Sequence, residues 1–286
     1  MYTKFRQRLG KILAPHLDAS STFSDEASLS NTPYLDSERT IRLLTYNIQV
    51  GISTASYRHY VTRSWQHVLP HRSRNDNLMR IAHLLLDYDV VALQEVDGGS
   101  IRSGFINQVE YLAAHGNFDF WYQQLNRNFG PLAKHSNGLL SRFRPLEVEE
   151  FRLPGLIPGR GVIVAKYGQA EDPIVLVIMH LSLSPVAQRA QLRFVARLIS
   201  AYQHVVLMGD MNMHAENLLH NSPLKDLDLA ALPGVSHTFP SWRPEKALDH
   251  ILVSRSLRVK RAGVLNFPVS DHLPIALDVR LPDTYF

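Results

Sequence analysis

Short apolar runs alternating with amphipathic stretches predict an α/β fold, and three observations carry the prediction. Val90–Leu93, Ile174–Met179 and Val205–Met208 are unbroken apolar runs of the length that buried strands use. Between them, Leu78, Ile81, Ala82 and Leu85, and later Leu192, Val195, Ala196 and Ile199, recur at helical spacing. Each run also releases a polar side chain where it ends: Glu95, His180 and Asp210. The carboxyl ends of strands are where open α/β sheets build their sites.

With 286 residues, 45% of them hydrophobic and 20% charged, the chain can bury a large core in one big domain or at most two. No apolar run approaches the roughly 20 residues of a membrane span, which predicts a soluble protein. The absence of cysteine excludes disulfides, a thiolate metal site and a cysteine nucleophile. Together with the lack of a secretory signal, it predicts a cytoplasmic location. A net charge of +4 and a pI near 9.3 lean towards anionic partners such as phosphates or acidic lipid.

Taken in order, residues 1–40 separate from a catalytic domain expected over 41–286. Lys4, Arg6, Arg8 and Lys11 mix with Phe5, Leu9, Ile12 and Leu13 at helical spacing, so residues 1–17 are a candidate for peripheral contact with an anionic membrane. The blander expectation is that this helix docks on its own domain or frays. Ala19 to Glu38 has linker composition. Ile41–Gly51 reads as a strand ending in Asn47. Ser53–Leu69 reads as a helix stopped by Pro70, with Arg58, Arg63, His67, His71, Arg72 and Arg74 on it or after it. A helix over Asn77–Leu86 then feeds the strand DVVALQEVD, and another is expected over Phe105–His115.

Ser184 has the chemistry of an N-cap, with Pro185 in the first turn of the next helix. In VVLMGDMNMH, Gly209 allows a sharp turn at the strand end. Asp210 and Asn212, two apart in an extended segment, should point the same way. ALDHILVS sets Asp249 at a strand start, and VSDHLPIALDV sets Asp271 and His272 just before the last strand. Neither a sequence repeat nor an internal boundary follows residue 40.

Asn47, Glu95, His180, Asp210, Asn212, Asp249, Asp271 and His272 thus collect at predicted strand ends. Hydrolysis of a phosphate ester needs activated water, neutralised phosphoryl oxygens and help for the leaving oxygen. Oxygen donors without thiolates suit a hard divalent ion, Mg²⁺ first with Mn²⁺ as substitute. Glu95, Asn47 and Asp271 are the candidate ligands. Asp210 with Asn212 would orient and deprotonate water, and the pair Asp249–His272 would hold a protonated imidazole against the phosphate or move a proton.

TYNIQVG, LQEVD, HSNGLLSR, MHLSLS, MGDMN, ALDHILVS and SDHLPI stand in the order found in the endonuclease/exonuclease/phosphatase superfamily, which the chain resembles over about residues 41–281. That resemblance implies a four-layer α/β sandwich, two mixed sheets face to face with helices outside. It places the family's metal-ligand glutamate on Glu95, its first-motif asparagine on Asn47 and its Gly-Asp-x-Asn pair on Asp210 and Asn212. The closing Ser-Asp-His falls on Asp271 and His272, and the aspartate that orients the histidine falls on Asp249. His180 stands where abasic-site endonucleases resemble one another in using tyrosine, which argues against a dedicated abasic-site enzyme. His135 and Asn137 lie where members shape the site, and Asn137 joins His180 and Asn212 as a candidate substrate contact.

The leading expectation is a monomeric Mg²⁺-dependent phosphodiesterase acting on nucleic acid, with Trp121, Tyr122, Phe129 and Trp242 available to stack bases. A phospholipid- or phosphoinositide-directed enzyme is the alternative, although the chain lacks the long apolar insertions that would favour it. An inactive binding scaffold would predict decay of the polar set, and every position holds a competent residue. Fold similarity alone does not choose among substrates.

Overall fold

The computed structural model describes residues 40–51, 72–156, 158–235 and 237–282. The expected helix over Ser53–Leu69 and the basic segment 1–17 lie outside them. Twelve described strands form two six-stranded sheets. The first contains β1 (Thr40–Asn47), β2 (Val90–Asp97), β3 (Phe120–Asn128), β4 (Lys134–Ser141), β11 (Arg258–Val264) and β12 (Ile275–Arg280), in the order β11-β12-β1-β2-β4-β3. The second contains β5 (Glu147–Arg152), β6 (Gly161–Gly168), β7 (Pro173–His180), β8 (His204–Asp210), β9 (Leu229–Ala231) and β10 (Asp249–Ser254), in the order β5-β6-β7-β8-β10-β9.

The two sheets share one topology. Each has a single parallel pair at its centre, β1 with β2 and β7 with β8, flanked by antiparallel neighbours. Helix α1 (Arg72–Leu85) precedes β2, and α3 (Pro185–Ile199) connects β7 to β8. A parallel pair needs such a crossover, and the crossover covers the outer face of its sheet. The shared plan leaves no sequence repeat because it is a matter of pairing order, which many apolar sequences satisfy.

Alternation along the central strands builds the layers. Leu43, Val90 and Ala92 face Ile163, Leu176, Ile178, Val206 and Met208 between the sheets. Leu44, Val91 and Leu93 point the other way, onto Leu78, Ile81 and Leu85 of α1 and Leu112 of α2 (Gln108–His115). Val175, Val177, Val205 and Leu207 meet Leu192, Val195 and Ile199 of α3, each worth about 1.5–3 kcal/mol of burial. The result is the expected four-layer α/β sandwich.

Three element readings change. Helix α1 covers Arg72–Leu85, where the sequence predicts Asn77–Leu86. The second begins at Gln108, not Phe105, because Gly104 and Phe105 take positive φ and Asn107 caps the helix, its side chain accepting from the backbone N–H groups of Val109 and Glu110. Ser184 does occupy the N-cap of α3, but its hydroxyl makes no capping bond.

Candidate active site

The parallel pairs end at the same end of the sandwich, and the ends meet across the sheets. Asn47, last in β1, donates from Nδ2 to Asp210 Oδ2, last in β8, at 3.1 Å. Asn47 Oδ1 accepts from the Gln49 backbone N–H at 3.1 Å, within a turn where Gln49 and Val50 both have positive φ. Gly209 is required for close approach rather than for a turn. It lies inside β8, and a Cβ there would sit 1.9 Å from the Met179 carbonyl oxygen of β7.

Asp210 and Asn212 do not share an extended face, contrary to the spacing argument. The strand stops at Asp210 and Asn212 adopts φ 51°, so the Asn212 N–H donates to Asp210 Oδ1 at 3.1 Å in a local turn. The Asn212 side chain instead donates to the Leu181 carbonyl at 3.0 Å, one residue beyond His180. His180 Nε2 lies 3.4 Å from Asp210 Oδ2. Burial, reinforced by Arg160 and His272, holds this imidazole well below its ordinary pKa, so it is neutral.

Asp249 opens β10 directly opposite Asp210 in the ladder. Its Oδ2 accepts from His272 Nδ1 at 2.7 Å and from the Thr238 hydroxyl at 2.5 Å. Burial opposes charge on His272, but Asp249, then Asp210 and Asp271, outweigh it and raise the pKa well above the usual imidazole value. The far nitrogen, Nε2, stands 3.9 Å from Asp210 Oδ2. Phe239 packs against the ring, 4.9 Å between centroids. Asp210, Asp249 and His272 therefore form a compact charged chain centred on an imidazolium.

Glu95 is not at a strand terminus. It occupies a bulge inside β2, where the register to β4 shifts between Leu93 and Val96, and its φ is 54°. Positive φ at a non-glycine residue costs of order 1–3 kcal/mol and clusters at functional sites. Burial and the Asp271 carboxylate raise the pKa of Glu95, while His272, the Asn47 amide and Arg160 oppose them. Asp210 is raised as well, by burial and then by Asp249, with His272 opposing.

All eight strand-end residues thus converge, whereas Asn137 supports from one step away. It is buried on β4, donating to the Gly161 carbonyl at 3.2 Å and to Gln124 Oε1 at 3.5 Å, which ties the first sheet to the start of β6. Arg160 was absent from the sequence expectations. Half-buried just before β6, it interacts electrostatically with Glu95, Asp210 and His180. Its only sequence signal is a Pro-Gly-Arg-Gly entry into an apolar strand. Thr238, which fixes Asp249, was likewise missed.

The donor set fits a hard divalent cation. Four carboxylates, Glu95, Asp210, Asp249 and Asp271, face two cationic side chains, Arg160 and His272, so acidic groups outnumber the cations. The ligand atoms of Asp210, Asp249 and His272 lie within 4.8 Å of one another. There, however, the imidazole proton already sits against Asp249, so that trio is better suited to moving protons. Glu95, Asp271 and Asn47 are oxygen donors without that commitment.

A model of the endonuclease/exonuclease/phosphatase family matches residues 44–272. No curated protein sequence matches the chain. Among solved structures, an endonuclease/exonuclease/phosphatase from Beutenbergia cavernae is similar at 22% identity and TM-score 0.64, covering 85% of this chain and 72% of that one. Mannosyl-6-phosphatase from Bacteroides thetaiotaomicron is similar at 15% identity and TM-score 0.61, covering 84% and 100%. D. rerio TDP2, solved with a single-strand DNA product, is similar at 17% identity and TM-score 0.59, covering 86% and 100%. These likenesses show the fold, and the family match adds the chemistry: hydrolysis of phosphoester bonds with a divalent metal. With the strand-end carboxylates and imidazoles gathered at one end of the four-layer sandwich, the chain belongs to the endonuclease/exonuclease/phosphatase family.

Proposed function

We propose that the chain is a Mg²⁺-dependent phosphodiesterase in which Glu95, Asn47 and Asp271 hold the cation and Asp210 is the general base. Bound there, the cation would neutralise phosphoryl oxygens and lower the pKa of water. Asp210 suits proton transfer because burial raises its pKa towards neutrality. Asn212 and neutral His180 flank it and can donate to a phosphoryl oxygen. His272, held protonated by Asp249, stabilises charge on the phosphate and can supply the leaving oxygen with a proton. Arg160 adds a second positive charge on the open side.

The observation that supports this reading is the meeting of Asn47, His180 and His272 on the one carboxylate of Asp210, from both sheets. The test is hydrolysis of bis(p-nitrophenyl) phosphate by the full chain. Hydrolysis should require Mg²⁺, stop with EDTA and fall about 10²-fold or more in Glu95→Gln. Equal rates with and without metal, or an unaffected Glu95→Gln, would overturn it. Nucleic acid was the polymer expected from charge, and single-strand DNA is the product found with D. rerio TDP2. Of the four aromatics expected to stack bases, however, only Phe129 is exposed; Tyr122 is buried and Trp121 and Trp242 are half-buried.

A further inference from the structure

Four segments, loops with the strand or helix ends that flank them, surround the mouth of the site: 98–106 after β2, 126–134 between β3 and β4, 152–156 with 158–160 between β5 and β6, and 181–189 from the end of β7 into the first turn of α3. All lie at the carboxyl end of the parallel pairs, since Asp97 of β2 pairs with His135 of β4 and Met179 of β7 pairs with Val162 of β6. They also touch one another. The Ile101 N–H donates to the Pro131 carbonyl at 2.7 Å, and Arg127 Nε donates to the Pro158 carbonyl at 2.9 Å.

Their composition is not that of ordinary loops. The chain has 26 acidic residues, yet these four segments contain none, while carrying Arg127, Lys134, Arg152, Arg160 and Arg189 besides the buried Arg102, which is paired with Asp97. Six of the nine large apolar side chains exposed among the described residues are also here: Phe105, Phe129, Leu132, Leu156, Leu183 and Val186. Phe105 is 70% exposed and Leu156 fully exposed at 101%. Water-exposed apolar tips in separate loops, all at one end, mark an interaction surface. Cations without acids among them select an anionic partner, and arginine stems can lie along apolar matter while their heads stay with phosphate.

We infer that these four loops form a membrane-docking face, so that the ester hydrolysed is the head-group phosphodiester of a phospholipid presented at an anionic bilayer. This rests on the phosphodiesterase reading for the chemistry and on the loops alone for the docking. The apolar tips enter the boundary between head groups and acyl chains, and the cations meet lipid phosphates. The scissile phosphate then reaches Arg160 and His180 without leaving the membrane. Nucleic acid fits less well, because exposed leucines offer a phosphate backbone nothing.

The test compares the full chain with Leu132→Ser/Leu156→Ser, both exposed side chains with no part in the catalytic set. Vesicles of equimolar phosphatidylcholine and phosphatidylglycerol should sediment more of the wild type than pure phosphatidylcholine vesicles do, and the double variant should bind the anionic vesicles roughly tenfold more weakly or worse. Its rate on bis(p-nitrophenyl) phosphate should be unchanged, which also shows that it folds. Phosphodiester release from the anionic vesicles should fall with binding. The docking inference fails if the wild type ignores the vesicles, or if the variant binds them equally. It fails equally if the variant instead loses RNA or plasmid cleavage, or if the substitutions only abolish a dimer. Loop-dependent vesicle binding without hydrolysis of either ester would overturn the phosphodiesterase reading and leave docking standing.

Discussion

The two ends of the sandwich are capped by the same strands and solve opposite problems. At the end away from the site, buried charge is paired. Arg142 donates to the carbonyls of Tyr88 at 2.8 Å and Leu86 at 2.7 Å and lies 5.1 Å over Phe118, while Asp89 Oδ2 accepts from the Arg42 backbone at 2.8 Å. The site end holds Gln49, Val50, Glu95, Phe105 and Asn212, five of the six non-glycine residues with positive φ among those described. It also holds the buried, unpartnered Oδ1 of Asp249. Charge divides the same way: Asp87, Asp89, Asp119, Glu147, Glu171 and Asp172 cluster in the turns of the far end. One end is arranged for stability, and the other carries strain and like charge that only function explains.

The sharpest way to break this contrast is Asp210→Asn. Activity on a soluble phosphodiester should fall about 10³-fold or more, with no drop in Tm, because a carboxylate disfavoured by burial and by Asp249 is removed. A falling Tm with retained activity would contradict the division. Gly209→Ala is the expected exception, a site-end change that acts through the fold. With the Met179 carbonyl oxygen 1.9 Å from the new Cβ, β7 and β8 must separate, and denaturant melts should show a loss of more than about 3 kcal/mol. At the far end, Arg142→Ala should cost about 2 kcal/mol and lower Tm by about 5 °C, with kcat unchanged.

The smallest effect is one of pH. Burial, followed by Arg102, lowers the pKa of His135 from 6.5 to about 4 despite Asp97. Between those values the unfolded chain binds more protons than the native one, so stability rises with pH and is lost as pH falls from 6.5 towards 4. Urea melts across that window should show the slope, and His135→Gln should flatten it.

What could be read from the sequence was whatever short-range chemistry encodes. Apolar runs located β1, β2, β7, β8 and β12, and the ends of those runs located Asn47, His180, Asp210 and the Asp271–His272 pair. Local backbone exceptions escaped: nothing in LQEVD announces that Glu95 sits at positive φ in a bulge, since the bulge is set by pairing with β4. Asn212 was misdirected because alternation was assumed past the end of its strand. Arg160 escaped because its role comes from the sheet beside it, with Glu95, the carboxylate that acts on it most strongly, 65 positions away in the chain. Pairwise and long-range facts of this kind are invisible to spacing.

The first sheet is not finished when β4 ends. The chain builds the whole second sheet before β11 and β12 return to lie beside β1, and His272 arrives only with that return. During synthesis Glu95 and Asp210 are therefore present well before the Asp271–His272 pair that completes them. A ribosome-bound or truncated product stays inert until its final hairpin zips into place, so hydrolytic power is released only in molecules whose folding has run to completion.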